Sequence, residues 1–285
     1  MPTPLGAAAE QRLGRAVART ESTGPLRVDI LGVGVTTRSL PEVVEDVVSW
    51  ATAPRPNAGP HYVCATSVHG LVEAARDPSF RHTLNGAARV TPDGMPLVWF
   101  GRLRGVTRMT RVYGPDLMKE VCRVTAGVPV RHFFYGGAPG VPEELARRLS
   151  AEFPGLEVGG AYSPPYRRLS RGELEKVAEL INGSGSQIVW VGLSTPKQEL
   201  WIEAVRDLLD ARVVLSVGAA FDFHTGRVPQ APAWMQASGL EWVFRLFQEP
   251  RRLWRRYSYI VPVFLWLALL QLAGLRKFTN VTETE

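Results

Sequence analysis

Short apolar runs alternate along this chain with stretches of helical periodicity. Leu26–Leu31 alternates apolar and polar residues and predicts a first strand, which Val33–Thr36 continues after Gly32. Pro41–Ala51 sets Val43, Val44, Val47 and Val48 at helical spacing. Tyr62–Ala65 predicts a second strand, Val68–His82 a single helix, and Ala88 with Val90 the start of a further strand. A helix opens at Gly114 and runs to Ala126.

The second half is more regular. Strands are predicted over Val130–Tyr135, Leu156–Val158, Gln187–Leu193 and Val213–Val217. Helices are predicted over Pro142–Phe153, Ser170–Asn182 and Pro196–Leu209, the second with Ser170 and Glu173 as a capping box. Such alternation predicts an α/β fold: a Rossmann-like parallel sheet core flanked by helices.

The pattern changes after Pro232. Trp234–Phe247 reads as one aromatic-rich helix, Glu249-Pro250 breaks it, and Arg251–Tyr257 is basic and aromatic. Tyr259–Leu275 is then apolar and uncharged, with one proline and one glutamine. As a helix it would be about 25 Å long at ~1.5 Å per residue, short of the ~30 Å hydrocarbon core of a bilayer. It reads as an interfacial segment rather than a span. Three regions are expected: a disordered lead-in over residues 1–25, an α/β core over 26–232, and a basic, aromatic, helical C-terminal appendage over 233–285 that associates with a membrane.

Of 285 residues, 45% are hydrophobic and 21% charged, which is a globular composition. The N-terminal stretch has no apolar core of a secretory signal. Cys64 and Cys122 stand in apolar surroundings outside any CxxC pattern and read as buried thiols. The net charge of +6 is uneven: Arg245, Arg251, Arg252, Arg255 and Arg256 crowd one short segment against Glu249 alone. That clustering suits a nucleic acid, an anionic membrane surface or a lipid pyrophosphate, and the adjoining apolar run favours the membrane.

In parallel α/β sheets ligands gather at the carboxyl ends of strands. Thr66-Ser67 closes one predicted strand and Thr91-Pro92-Asp93-Gly94 another. Asp93 suits either a helix N-cap or a functional carboxylate, and Arg111, eighteen positions on, either faces it or is one more surface arginine. Gly136-Gly137-Ala138-Pro139-Gly140 is a strand-to-helix turn that would let backbone N–H groups approach a phosphate, though it is neither GxGxxG nor a P-loop. Gln198, opening a helix within Pro196-Lys197-Gln198-Glu199, has an amide suited to a sugar or phosphate oxygen. Asp222, after Gly218-Ala219-Ala220, is either a turn residue or a carboxylate for ribose hydroxyls. His224 has no second ligand at metal spacing, so no metal is expected. A non-catalytic nucleotide-binding scaffold and a nicotinamide-dependent oxidoreductase are the competing classes; the absent GxGxxG argues against the second.

These blocks, in this order, resemble a family. Thr91-Pro92-Asp93-Gly94, Arg111-Val112-Tyr113-Gly114, Phe134-Tyr135-Gly136-Gly137, Pro196-Lys197-Gln198-Glu199, Val217–Asp222, Gln230-Ala231-Pro232, Gly239-Leu240-Glu241-Trp242 and the closing arginines are similar to the WecG/TagA/CpsF glycosyltransferases over about Val28 to Tyr257. The resemblance implies an inverting, metal-independent enzyme without cofactor. It would move a sugar from a UDP-sugar to a polyprenyl-diphosphate-linked saccharide in cell-surface polysaccharide or teichoic-acid-type assembly. The place implied is the cytoplasmic face of the bacterial membrane, peripheral or monotopic, with no nucleic-acid partner and with homo-oligomerisation left open. It also implies that Asp93 is the base, Thr66 lies near the acceptor and Arg111 is the active-site arginine. Gly136, Gly137, Gln198 and Asp222 fall on the donor side, and Arg245, Arg251, Arg252, Arg255 and Arg256 on the acceptor diphosphate and membrane. After the threonine, family members commonly show Asn and then an acidic residue; here Ser67-Val68-His69 follow.

Overall fold

The computed structural model describes residues 26–278, so the expected lead-in over 1–25 lies outside the described residues. Eight strands are present among them: β1 Arg27–Ile30, β2 Val33–Thr36, β3 His61–Thr66, β4 Arg89–Pro92, β5 Arg131–Gly136, β6 Glu157–Tyr162, β7 Ile188–Gly192 and β8 Val213–Ser216. The helices are α1 Leu40–Thr52, α2 Val68–Arg76, α3 Pro78–Asn85, α4 Met95–Leu103, α5 Gly114–Thr125, α6 Val141–Glu152, α7 Arg171–Gly183, α8 Lys197–Val205, α9 Ala220–His224, α10 Ala233–Ala237, α11 Glu241–Gln248 and α12 Pro250–Leu272, with a 3₁₀ turn at Arg206–Leu208. The fold is α/β and Rossmann-like, with a six-stranded sheet of order β4-β3-β8-β7-β5-β6 whose registered pairings are all parallel.

The chain forms two compact units. Among the described residues, one holds Leu40–Cys64 and Gly114–Val228; the other holds 26–39, Ala65–Tyr113 and 229–278. The second unit takes in α10–α12 together with earlier segments of the chain.

In the first unit β7 and β8 read IVWVG and VVLS, and all but the last glycine are buried. Continuous apolar runs are what a strand covered on both faces requires. From β5 the chain goes out to the edge strand β6 and then returns to β7 on β5's other side. The sheet order therefore reverses between β5 and β7, where Gly136 and Gly192 end the two strands. Gly136 has φ 126°, and a Cβ there would lie 2.7 Å from the Gly192 backbone, while a Cβ on Gly192 would meet the Phe221 ring at 2.6 Å. Only glycines allow this approach. Behind it, His132 is fully buried: its Nδ1 accepts from Trp190 Nε1 at 2.9 Å and its Nε2 lies 2.9 Å from Thr125 Oγ1, so the ring carries its proton on Nε2. Burial pushes the His132 pKa down to about 3, and the ring stays neutral.

In the second unit, Val33–Thr36 does not continue the first strand but folds back on it as an antiparallel hairpin. Leu31 and Gly32 both take positive φ (53° and 83°), the requirement of a two-residue hairpin turn. Asp29 Oδ1 accepts from Gly32 N–H at 2.8 Å, and Gln271 of α12 accepts from Leu31 N–H at 2.9 Å. The helix expected over Val68–His82 is two. Asp77 leaves helical geometry and caps the N–H groups of Ser79 and Phe80, and Pro78 starts α3, because a proline is favoured in a first turn and disfavoured inside. The helix expected over Trp234–Phe247 is likewise two, split at Gly239 with φ 70°. Conversely, the basic-aromatic segment and the apolar run are one helix, α12, continuous through Pro262. One face of it, including Leu253, Ile260, Phe264, Leu267 and Gln271, is buried, and the helix packs on α2.

Gly136→Ala is expected to destabilise the first unit by about 1–3 kcal/mol of backbone strain plus an overpacking cost of about 1–3 kcal/mol. Gly127→Ala, at φ 83° with nothing within 4 Å of the added Cβ, bears the strain alone. Hydrogen-exchange protection of β5 and β7 in the two variants measures the difference.

Candidate functional site

Two clusters stand out, one in each unit. In the first unit the carboxyl ends of β5, β7 and β8 carry the glycine positions Gly136-Gly137, Gly192 and Gly218. Gly137 N–H donates to Gly192 C=O at 2.9 Å, and Ser163 Oγ donates to Gly137 C=O at 2.8 Å, fixing the turn before α6. Gln198 is buried, and its amide is already engaged within the fold: Oε1 accepts from Gly218 N–H at 3.0 Å and Nε2 donates to Glu199 Oε1 at 2.9 Å. Its position therefore has a structural reason that the sequence did not reveal: it ties the first turn of α8 to the exit of β8. Glu199 is also buried. Thr195 donates to its Oε1 at 3.0 Å, its Oε2 has no partner, and burial raises its carboxyl pKa. Asp222 sits half-buried in α9, with its backbone carbonyl accepting from Arg227 and Val228. His224 Nε2 lies 3.0 Å from the Pro115 carbonyl oxygen, and burial lowers its pKa.

The second unit gathers Thr66, Asp93 and Arg111. Thr66 ends β3, is buried, and its carbonyl accepts from Asp93 N–H at 3.0 Å. Asp93 leaves β4 and does not cap α4; the cap position is Gly94, with no side-chain cap bond. The N-cap reading of Asp93 therefore falls. Arg111 does meet this turn, donating from Nε to the Asp93 carbonyl at 2.5 Å, but its ion-pair partner is Glu241 at the start of α11, 2.5 Å from Nη2. Gln236 Oε1 is 3.4 Å from Nη1, and the guanidinium lies 3.8 Å over the Tyr113 ring. Tyr113 Oη donates to the other Glu241 oxygen at 2.9 Å. Burial by itself would lower the Arg111 pKa, but the carboxylates of Glu241 and Asp93 outweigh it and raise it. Burial, and then Glu241, push the Tyr113 phenol upward, so it remains a donor.

This cluster opens into a cavity of about 570 Å³. His69, Asp93, Arg111, Glu241 and Arg245 form its polar part, and side chains of α4 and α12 form the rest. Burial, and then Arg256, lower His69 to a pKa of about 4, so it is neutral at pH 7. The expected acceptor arginines thus separate. Arg245 lines this cavity and Arg256 acts on His69, while Arg251 and Arg255 line another cleft with Phe247 and Trp254. The side chain of Arg252 lies outside the described residues. Among the described residues, no group of three His, Cys, Asp or Glu is placed to hold a metal ion.

Among the sequence motifs, Glu241 and His69 appear only inside the blocks, without a role of their own, and Gln236 appears in none. The signal available for Glu241 was weak: one acidic residue opening a helix looks like ordinary dipole compensation.

A double-mutant cycle of Arg111→Met and Glu241→Gln is expected to give a coupling of about 0.5–3 kcal/mol, read from urea unfolding of the second unit. Each single change is expected to cost more than the pair together, because each strands a mostly buried group.

Comparison with known proteins gives these clusters a context. A model of the family described as "Glycosyl transferase WecG/TagA/CpsF family" matches residues 28–278. The chain is 34% identical over 200 residues to an N-acetylglucosaminyldiphosphoundecaprenol N-acetyl-beta-D-mannosaminyltransferase of Bacillus spizizenii (strain ATCC 23059 / NRRL B-14472 / W23), covering 70% of this chain and 75% of that protein. It is 32% identical over 183 residues to the Bacillus subtilis (strain 168) protein of the same name, covering 64% and 69%. With a family model spanning nearly all the described residues and both clusters inside it, this chain belongs to the WecG/TagA/CpsF family of glycosyltransferases.

Proposed function

We propose that this glycosyltransferase moves an N-acetylmannosamine-type sugar, or another hexose, from a UDP-sugar to a polyprenyl-diphosphate-linked saccharide, with inversion and without a divalent metal. The observation that carries the reading is the cavity with Asp93 and the Arg111–Glu241 pair at its polar end and an apolar remainder. An acceptor with a sugar, an anionic diphosphate and a hydrocarbon chain needs those three environments side by side. The relatives' names supply the matching acceptor class, a saccharide on diphosphoundecaprenol.

In an inverting displacement an acceptor hydroxyl attacks the anomeric carbon as the UDP–sugar bond breaks. Asp93, on a turn held by Thr66 and Arg111, is positioned to take the hydroxyl proton. The departing diphosphate gains charge, which guanidinium and backbone N–H groups can stabilise. Arg111 and Arg245 line the same cavity as Asp93. For the nucleotide, the first turn of α6, which follows the Gly136-Gly137 turn, offers N–H groups. Gln198 acts by holding the β8 exit and Asp222 by accepting from the nucleoside. Thr66 orients the Asp93 turn from the acceptor side.

Asp93→Asn should leave the fold intact and lower UDP release in the presence of a lipid-diphosphate saccharide by about 10²–10⁴-fold. Wild-type turnover in that variant removes Asp93 as the base. Activity should persist in EDTA; strict dependence on Mg²⁺ or Mn²⁺ overturns the metal-free reading.

The reaction would take place at the membrane surface. No helix of the described residues is long and apolar enough to cross a membrane. Phe247 and Trp254 are exposed beside Arg251 and Arg255, an arrangement that suits an anionic lipid interface. Trp254→Ser with Arg251→Glu should weaken co-sedimentation with phosphatidylglycerol vesicles, at about 1 kcal/mol for each basic residue lost from the surface. Unchanged sedimentation places the contact elsewhere.

A further inference from the structure

Most of the residues lining the Asp93 cavity are apolar. Its walls are α4 and α12, which present Trp99, Phe100 and Leu103 on one side and Ile260, Phe264 and Leu265 on the other. No described residue fills this space. Trp99, Leu103, Leu265 and Leu269 remain 44%, 72%, 61% and 59% exposed along it. A volume of about 570 Å³ is in the range of pockets that enclose a ligand of drug size, ~300–1,000 Å³. The polarity is graded: Arg111, Arg245, Asp93, Glu241 and neutral His69 form one part of the lining, and nothing charged lines the α12 wall from Ile260 to Leu272.

We infer that the α4–α12 groove is a subsite for the first isoprene units of the lipid-linked acceptor, seating hydrocarbon while the adjoining arginines hold its diphosphate. The inference rests on the acceptor class proposed above. It adds that the protein binds hydrocarbon itself rather than leaving the whole chain in the bilayer. Two features favour this occupant. The groove is continuous with the cluster that would hold the diphosphate, and its polar end, where Arg111 and Arg245 stand with Asp93 and Glu241, adjoins the apolar wall as a headgroup adjoins its tail. Gly239 also matters, because its missing Cβ lets the turn before α11 rest on Trp99, where an added Cβ would stand 2.5 Å from the ring. The wall is therefore held in place by the same segment that supplies Glu241.

The experiment uses the full chain with a diazirine-bearing farnesyl diphosphate, cross-linked and mapped by peptide mass spectrometry, with sugar transfer followed in parallel. Labelling is expected on α4 and on Ile260–Leu272, reduced strongly by geranylgeranyl diphosphate and only weakly by inorganic diphosphate, which lacks the hydrocarbon. Labelling concentrated on Phe247 and Trp254, or displaced equally by palmitate, overturns the subsite. Leu103 is largely exposed, so Leu103→Gln does not threaten folding. It is expected to narrow the KM advantage of a long-chain over a short-chain acceptor by about 10-fold, the scale of a lost apolar pocket contact; an unchanged advantage counts against the groove. Absence of any transfer by the wild type, with groove labelling intact, sinks the glycosyl-transfer reading alone. Normal transfer with an unlabelled groove sinks the subsite alone.

Discussion

The second unit depends on one mostly buried charge. Arg111 bonds the carbonyl of Asp93, pairs with Glu241, lies near Gln236 and covers the Tyr113 ring. A guanidinium withdrawn from water is costly unless its donors are used. Here its planar fork links a strand exit, α10 and α11, so segments more than a hundred residues apart in sequence share one electrostatic arrangement. Remove the charge, and Glu241 and Tyr113 lose the group that organises them. The same fork that orders the unit also holds the turn that carries Asp93, so in the proposed mechanism stability and chemistry would draw on one side chain.

In the first unit the organising constraint is steric rather than electrostatic. Gly136 and Gly192 meet so closely at the reversal of sheet order that neither tolerates a Cβ. The approach exposes backbone at the position where open α/β sheets bind ligands. Gln198 keeps the third strand exit in register with it, and the buried Glu199 is held by Thr195 and Gln198. An amide that looked free for a ligand is thus a strut between α8 and the Gly218 backbone.

Helix α12 combines two roles that composition alone would separate. Its buried face belongs to the second unit, and Gln271 completes the hydrogen bonds of the β1–β2 hairpin, donating to Asp29 Oδ2 and accepting from Leu31 N–H. Another face lines the groove beside Asp93. The glutamine that made the apolar run a poor membrane span is the residue that docks it.

Fold class was written into the chain locally. The alternation of apolar runs with helical periodicity, the Ser170–Glu173 capping box and the glycine turn all depend on near neighbours, and each appeared where the periodicity put it. The same holds for Asp93 and Arg111, whose strand-exit and motif positions were readable without coordinates. Breaks governed by a single residue were harder: Asp77-Pro78 and Gly239 each split a helix whose hydrophobic period runs straight through. Tertiary structure alone decided the partners. That Arg111 pairs with Glu241, that Gln198 reaches Gly218, and that α12 and α4 line one groove are long-range choices, set by which buried groups can satisfy one another, and no local period encodes them.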